Sequence, residues 1–380
     1  MDDRNLDCCR KRLEFRRRSP VAPRHGAAGR RRAVLKFAAI AACSFAFGAG
    51  VPESAGAECK IGKVAELPVS IVSNQPLLKG EINGQPIEIL INTGLQRSTV
   101  WYQEAKRLGL PLSNMGGTTY GVGGGTPTLH TTVKELKIGD SNLGETPLWV
   151  AGGKGNQVGQ ASMSLGEDFW LRFSVEFDFP HNMIRLYLVE GCKPEQLVYW
   201  APNFSLAELE RPPKQALRLE TIVFLNGVRT SAVLDTGLQT STVSTAAAAR
   251  ANVHTDSPGV VPSAPITGFG RAAVPTWIAK FDTFALGDEQ IKNTKLSIGD
   301  IYGKSTVILT GTHIDLPVEN AGMAIGADFF MSHRVFVPAG ELYFVFTYVG
   351  GPVFRSLHDS AAPPATAVPN AAAQPETSPK

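Results

Sequence analysis

A chain that spells one phrase twice is constrained to fold as two related units, since each copy must find similar surroundings. Here Asn83 to Val100 reads NGQPIEILINTGLQRSTV, and Asn226 to Val243 reads NGVRTSAVLDTGLQTSTV. At an offset of 143 residues, nine of these 18 positions are identical. In each copy Asn-Gly, a strong signal for a two-residue hairpin turn, follows a strand-like run (Leu77 to Ile82; Leu219 to Leu225). It precedes an apolar strand that ends in a small polar turn. That turn is Asn92-Thr93-Gly94 in the first copy and Asp235-Thr236-Gly237 in the second. The one residue of the turn able to ionise is therefore found in the second copy alone.

The units match at their far ends too. Met163-Ser164-Leu165-Gly166-Glu167-Asp168-Phe169 parallels Met323-Ala324-Ile325-Gly326-Ala327-Asp328-Phe329. Strand-like segments follow, Phe173 to Leu188 and Arg334 to Tyr348. Asp168 and Asp328 are expected as N-terminal caps of short helices. Between head and tail each unit has a glycine-rich hairpin, Thr119 to Gly125 and Thr267 to Gly270. No Lys-Ser/Thr follows the first of these, so a phosphate loop is not expected. With 38 glycines and 26 prolines the chain leans toward β structure rich in turns.

The opening residues read differently. Met1 to Lys36 carries a formal +8 against +3 for the whole chain, so the remainder is mildly acidic. It offers no basic stripe to follow a nucleic-acid backbone. Arg30-Arg31-Arg32 leads into an apolar run from Phe37 to Phe47 and then the small residues Ala55-Gly56-Ala57. This is the order of an export signal, its apolar part too short for a mature membrane span. Arg31-Arg32 before Val34-Leu35-Lys36 resembles the twin-arginine export motif; an ordinary export signal or an uncleaved anchor is the alternative. A periplasmic or secreted protein is expected. Cys59 and Cys192 remain once the signal is gone, and are expected to form a disulfide in an oxidising compartment. The seven histidines have no HExxH or paired spacing, so no metal or other cofactor is expected. The expected organisation is 1–57 export signal with a basic extension, 58–195 first lobe, 196–213 linker, 214–350 second lobe, and 351–380 disordered Ala/Pro-rich tail.

Taken in order and in duplicate, the apolar strand, Asp235-Thr236-Gly237, the glycine-containing hairpin Gly268-Phe269-Gly270 and Ala324-Ile325-Gly326 resemble the pepsin/retropepsin superfamily of aspartic peptidases. Bacterial exported retropepsin-like proteins are the nearest likeness. The resemblance implies an all-β fold of two tandem closed β-barrel lobes related by a pseudo-twofold axis, with one Asp-Thr-Gly turn from each lobe at the active site. It implies that Thr93 and Thr236 cross-bond the turns, and that Gly94 and Gly237 permit their close approach. It makes Tyr120, Gly121, Val122 and Gly123 one substrate-binding flap, and Gly268, Phe269 and Gly270 the other. In the family two carboxylates share one proton; one activates a water and the other donates to the developing oxyanion.

Two departures qualify that chemistry. Asn92 keeps the size of an aspartate but can neither ionise nor donate an acidic proton. Leu95-Gln96 and Leu238-Gln239 stand where the family places a small residue and then a hydroxyl. Two functions stay open. One is an endopeptidase acting on peptide or protein substrates through a water activated at Asp235, with Asn92 at a degenerate dyad position. The other is a catalytically inactive relative that binds extended peptides or a protein partner in the interlobe cleft. In a homodimeric variant, two copies of Asp235 would meet from two chains.

Overall fold

The computed structural model describes residues 58–152, 161–210, 219–302, 306–308, 315–317 and 321–354. The expected export signal and the chain beyond Phe354 lie outside the described residues. Both Asn-Gly pairs make the turns their sequence demands. Asn83-Gly84 has φ of 51° and 75° and joins Gln75–Ile82 to Gln85–Ile91. Asn226-Gly227 has φ of 49° and 78° and joins Glu220–Leu225 to Val228–Leu234. Left-handed backbone at both central positions suits the right-handed twist of the flanking strands.

Each hairpin feeds the same construction. Gln85–Ile91 lies parallel to Met163–Leu165, which runs antiparallel to Thr99–Trp101. In the second lobe Val228–Leu234 lies parallel to Met323–Ile325, which runs antiparallel to Thr242–Val243. Met163–Leu165 and Met323–Ile325 are buried throughout, as are the last three residues of the hairpin strand beside each. Gly166 and Gly326 follow the short strands where backbone crosses backbone. A Cβ on Gly166 would stand 2.6 Å from the Leu95 carbonyl oxygen, and one on Gly326 would stand 2.6 Å from the Thr240 carbonyl carbon. No larger residue fits either crossing.

The strands form a ten-stranded sheet within lobe 1 and a 13-stranded sheet that runs from lobe 1 into lobe 2. This confirms the all-β expectation, and in lobe 2 the ladder from Glu220–Leu225 through Val228–Leu234, Met323–Ile325, Thr242–Val243, Glu289–Ile298 and Val274–Leu286 returns to Glu220–Leu225 and closes. The seam is an antiparallel pairing of Ser174–Asp178 with His333–Val337. There the buried Glu176 of lobe 1 accepts hydrogen bonds from Arg185, Tyr187, Tyr199 and, across the seam, Arg334. A continuous apolar core, with Trp170, Phe177, Phe329 and Phe330 among its largest members, runs beneath both lobes.

The chain flanking the lobes is more ordered than its composition suggests. Within the expected linker, Ser205–Glu210 forms a strand that pairs with Tyr343–Tyr348 on one side and Glu220–Leu225 on the other. Lys60–Pro68 pairs with Met183–Glu190, and the Cys59–Cys192 disulfide closes the end of that ladder. The expected tail boundary at 351 is corrected. Val353 and Phe354 pack on the core, with Phe354 edge-on to Phe284, because two large apolar side chains there have core to cover. Among the described residues no helix is long and apolar enough to cross a membrane.

Candidate active site

The two polar turns meet where the lobes abut. The Thr93 amide donates to Thr236 Oγ1 and the Thr236 amide donates to Thr93 Oγ1, both at 3.1 Å. Each hydroxyl then donates across the junction, Thr93 to the Leu234 carbonyl at 2.7 Å and Thr236 to the Ile91 carbonyl at 2.8 Å. Both threonines are fully buried, so four groups that burial would penalise are satisfied by one reciprocal set. The grip is made within one chain.

It points Asn92 and Asp235 at the opposite turn. A Cβ on Gly94 would stand 2.2 Å from Asp235 Cγ, and one on Gly237 would stand 2.3 Å from Asn92 Nδ2. Both turns require glycine so that the facing side chains can approach. Within each turn the side chain is held alike: Gly94 N–H donates to Asn92 Oδ1 at 3.0 Å, and Gly237 N–H to Asp235 Oδ1 at 3.1 Å. That bond occupies one lone pair of the Asn92 carbonyl oxygen and leaves its NH2 as the donor Asn92 can offer a ligand.

Asp168 and Asp328 do not cap their helices. They sit in the first turn, after Gly166 and Gly326 at the cap positions, where no side-chain cap bond is made. Each carboxylate instead reaches back to the chain beyond the turn. Asp168 accepts from the Ser98 amide and hydroxyl at 2.9 and 2.7 Å. Asp328 accepts from the Ser241 amide at 2.9 Å and its hydroxyl at 2.6 Å. The same serine oxygens accept from Gly166 and Gly326 N–H, so each brace ties the turn loop to the crossing strand. Complete burial pushes the Asp328 carboxyl up to about 7, against the opposing pull of its Ser241 bonds.

A cavity of about 110 Å³ lies over the facing turns. Asn92, Gly94, Asp235 and Gly237 are among the residues lining it, with Leu95 and Leu238 on its walls and Tyr120, Gly121, Val122, Gly268 and Phe269 from the two hairpins. The hairpin tips touch. Gly270 N–H donates to the Val122 carbonyl at 2.9 Å, and Ala272 N–H to the Gly123 carbonyl at 3.1 Å. Glycine is again required, since a Cβ on Gly270 would meet the Gly123 carbonyl carbon at 1.8 Å. Phe269 crosses to lobe 1 and stacks on Trp101, ring centroids 4.6 Å apart, beside Ala151 and Leu95. Tyr120 stays partly exposed. The arrangement is a lidded cavity over a single carboxylate.

Two contributors were not expected from the sequence. Tyr302 donates its hydroxyl to Asp235 Oδ2 at 3.0 Å. It comes from the loop after Glu289–Ile298 and belongs to none of the repeated motifs. Gln239 turns away from Asp235 and donates to the Ser73 carbonyl of lobe 1 at 2.8 Å. The hydroxyl lost from the turn at Leu238-Gln239 is thus replaced by one from Tyr302, and the amide that took its place joins the lobes. Among the described residues no group of three His, Cys, Asp or Glu side chains is placed to hold a metal ion.

A family model described as aspartyl protease matches residues 78–169 and 221–320, one match in each lobe. Among solved structures, a retropepsin-like aspartic protease from Rickettsia conorii is 15% identical, over 35% of this chain and 95% of that one, with a TM-score of 0.26. A score that low has no bearing on the details of the site. No curated protein matches the sequence.

Proposed function

Since the chain belongs to the aspartyl protease family, we propose that it is an exported endopeptidase whose hydrolytic water is activated at Asp235. The observation that carries this reading is the reciprocal threonine grip, which sets Asp235 and Asn92 each against the glycine of the opposite turn beneath a lidded cavity. The ionised Asp235 takes a proton from a water, and the water oxygen attacks the scissile carbonyl. The Asn92 NH2 donates to that water or to the carbonyl oxygen. As the C–N bond breaks, the departing nitrogen takes back the proton that Asp235 received. Asn92 orients and carries no proton in this scheme. Export is supported by the Cys59–Cys192 disulfide, which suits an oxidising compartment. Finding the protein in the cytoplasmic fraction of its source cells would remove that part.

The second reading is a peptide-binding relative without turnover. It is favoured by the lone carboxylate and by the way Phe269 already fills a niche against Trp101. A peptide library assayed from acid to neutral pH separates the two. Cleavage by the natural protein, lost in Asp235→Ala, supports the peptidase. No cleavage by the natural protein, but cleavage by Asn92→Asp and peptide binding that survives Asp235→Asn, supports the binder.

A further inference from the structure

We propose that Tyr302 is a catalytic residue, the neutral hydrogen-bond donor that stands in for the missing second carboxylic acid; this rests on the peptidase reading above. A peptidase with one carboxylate has a specific gap. Its base can take the proton of the attacking water, but negative charge then builds on the carbonyl oxygen, where a second acid would have donated. Asn92 supplies a neutral amide and no hydroxyl. Tyr302 supplies a hydroxyl, lines the same cavity as Asn92 and Asp235, and reaches Asp235 Oδ2 at 3.0 Å.

The position suits a donor that must change acceptor during the reaction. Before attack the negative charge lies on Asp235 and holds the phenol hydrogen. When Asp235 takes a proton from water, that charge is lost there and appears on the substrate oxygen. The hydroxyl then has a better acceptor across the cavity, and a short rotation about its C–O bond redirects it. No proton leaves Tyr302. The water proton goes to Asp235, a C–O bond forms, the C–N bond breaks, and the nitrogen leaves with the proton from Asp235. Atoms and charge balance with water as the co-reactant.

The ring is placed to hold this geometry. Tyr302 packs against a buried apolar cluster that includes Leu238, Val233 and Ala324. Leu238 is the bulky residue that displaced the family's small one, so the same departure that removes a hydroxyl from the turn builds the wall on which another hydroxyl is carried. Asp235 is the carboxylate this hydroxyl meets. A phenol ordinarily keeps its proton to about pH 10. A shared-proton dyad loses its donor once the second carboxyl ionises, whereas a phenol donor leaves the site competent into the alkaline range.

The test is Tyr302→Phe, which keeps the ring and deletes the hydroxyl, in the full-length protein. On a cleaved peptide we expect kcat to fall about 10²-fold, as for loss of one oxyanion donor, with KM and melting temperature little changed. The natural protein should keep activity at pH 8, and Asn92→Asp should move its alkaline limb toward acid. An unchanged kcat in Tyr302→Phe, with the natural protein active, overturns the role of Tyr302 and leaves the peptidase reading standing. Should the natural protein cleave nothing, the peptidase reading fails. Tyr302 is then judged by calorimetry with a statine peptide and its deoxy analogue. A preference of about tenfold or more for the hydroxyl form, lost in Tyr302→Phe, shows Tyr302 donating to a tetrahedral-carbon oxygen. An equal preference in both proteins overturns it.

Discussion

In lobe 1 Ser98 ties Asp168 to the turn loop, Thr93 grips the facing turn, and Gly94 makes room for Asp235. In lobe 2 Ser241, Thr236 and Gly237 do the same for Asp328 and Asn92. The differences gather elsewhere. Asp235 of lobe 2 corresponds to Asn92 of lobe 1, Ala324 corresponds to Ser164, and Tyr302 bonds to the turn of lobe 2. The conserved bonds are those whose loss would leave a buried polar group unpaired, which the fold must satisfy whatever the chemistry. Cavity-lining residues that make no such bond are free of that demand, and there the lobes can part. The frame is symmetric because folding requires it, while the carboxylate in the cavity lining comes from one side.

The strongest way to break the comparison is to cut the grip. Thr236→Val strands the Thr93 amide and the Ile91 carbonyl, at about 1–3 kcal/mol for each buried group. Denaturant unfolding should therefore show a loss of about 2–5 kcal/mol, and Thr93→Val should match it, with the double variant well short of the sum. Markedly unequal single losses would mean the lobes do not share the load.

Next comes the brace. Asp328 titrates near 7 when folded, above its ordinary value of 3.8. The native protein then holds a proton that the unfolded chain releases. Its favourable contribution is full below about pH 4 and is lost as pH rises toward 7. Asp328→Asn should flatten that decline, worth a few kcal/mol, in melting curves between those limits. The same change at the less buried Asp168 should leave the decline in place; if it removes the decline as well, burial is not the cause.

A smaller effect is expected at the lid. Gly270→Ala drives a methyl into the Gly123 backbone and must part the hairpin tips. The stability loss should be about 1–3 kcal/mol, with a change in Trp101 fluorescence as Phe269 unstacks. An unaltered emission spectrum would mean that the Phe269 contact does not depend on the joined tips. Smallest of all, Ser164→Ala copies the lobe 2 residue into lobe 1 and deletes a buried hydroxyl that has no hydrogen-bond partner among the described residues. Stability should rise by about 1 kcal/mol, and a fall would reveal a partner for that oxygen.

Much of this was legible in the residues. Asn-Gly fixed both hairpins because few other pairs accept left-handed backbone twice in succession. The repeated Thr-Gly turns and the two late glycines located the site, since each meets a steric demand that only its residue type satisfies. The braces were recognised as a pair but given the wrong partner. An Asp two residues past a glycine reads as a helix cap unless the serine some 70 or 87 residues earlier in the chain is known to lie beside it. Tyr302 left no trace, because a single phenol in a loop has neither period nor spacing. Val353 and Phe354 fall past the expected lobe boundary at 350 because two apolar side chains beyond the last strand have no period of their own.

The joining of both lobes in one polypeptide has a consequence for heredity. In a site assembled from two identical chains, one codon writes both turns, and an Asp-to-Asn change would erase both carboxylates together. Here each turn has its own codon. One half can drift to asparagine while the other keeps its charge, and a tyrosine can be recruited beside one carboxylate without a twin crowding in from the opposite side.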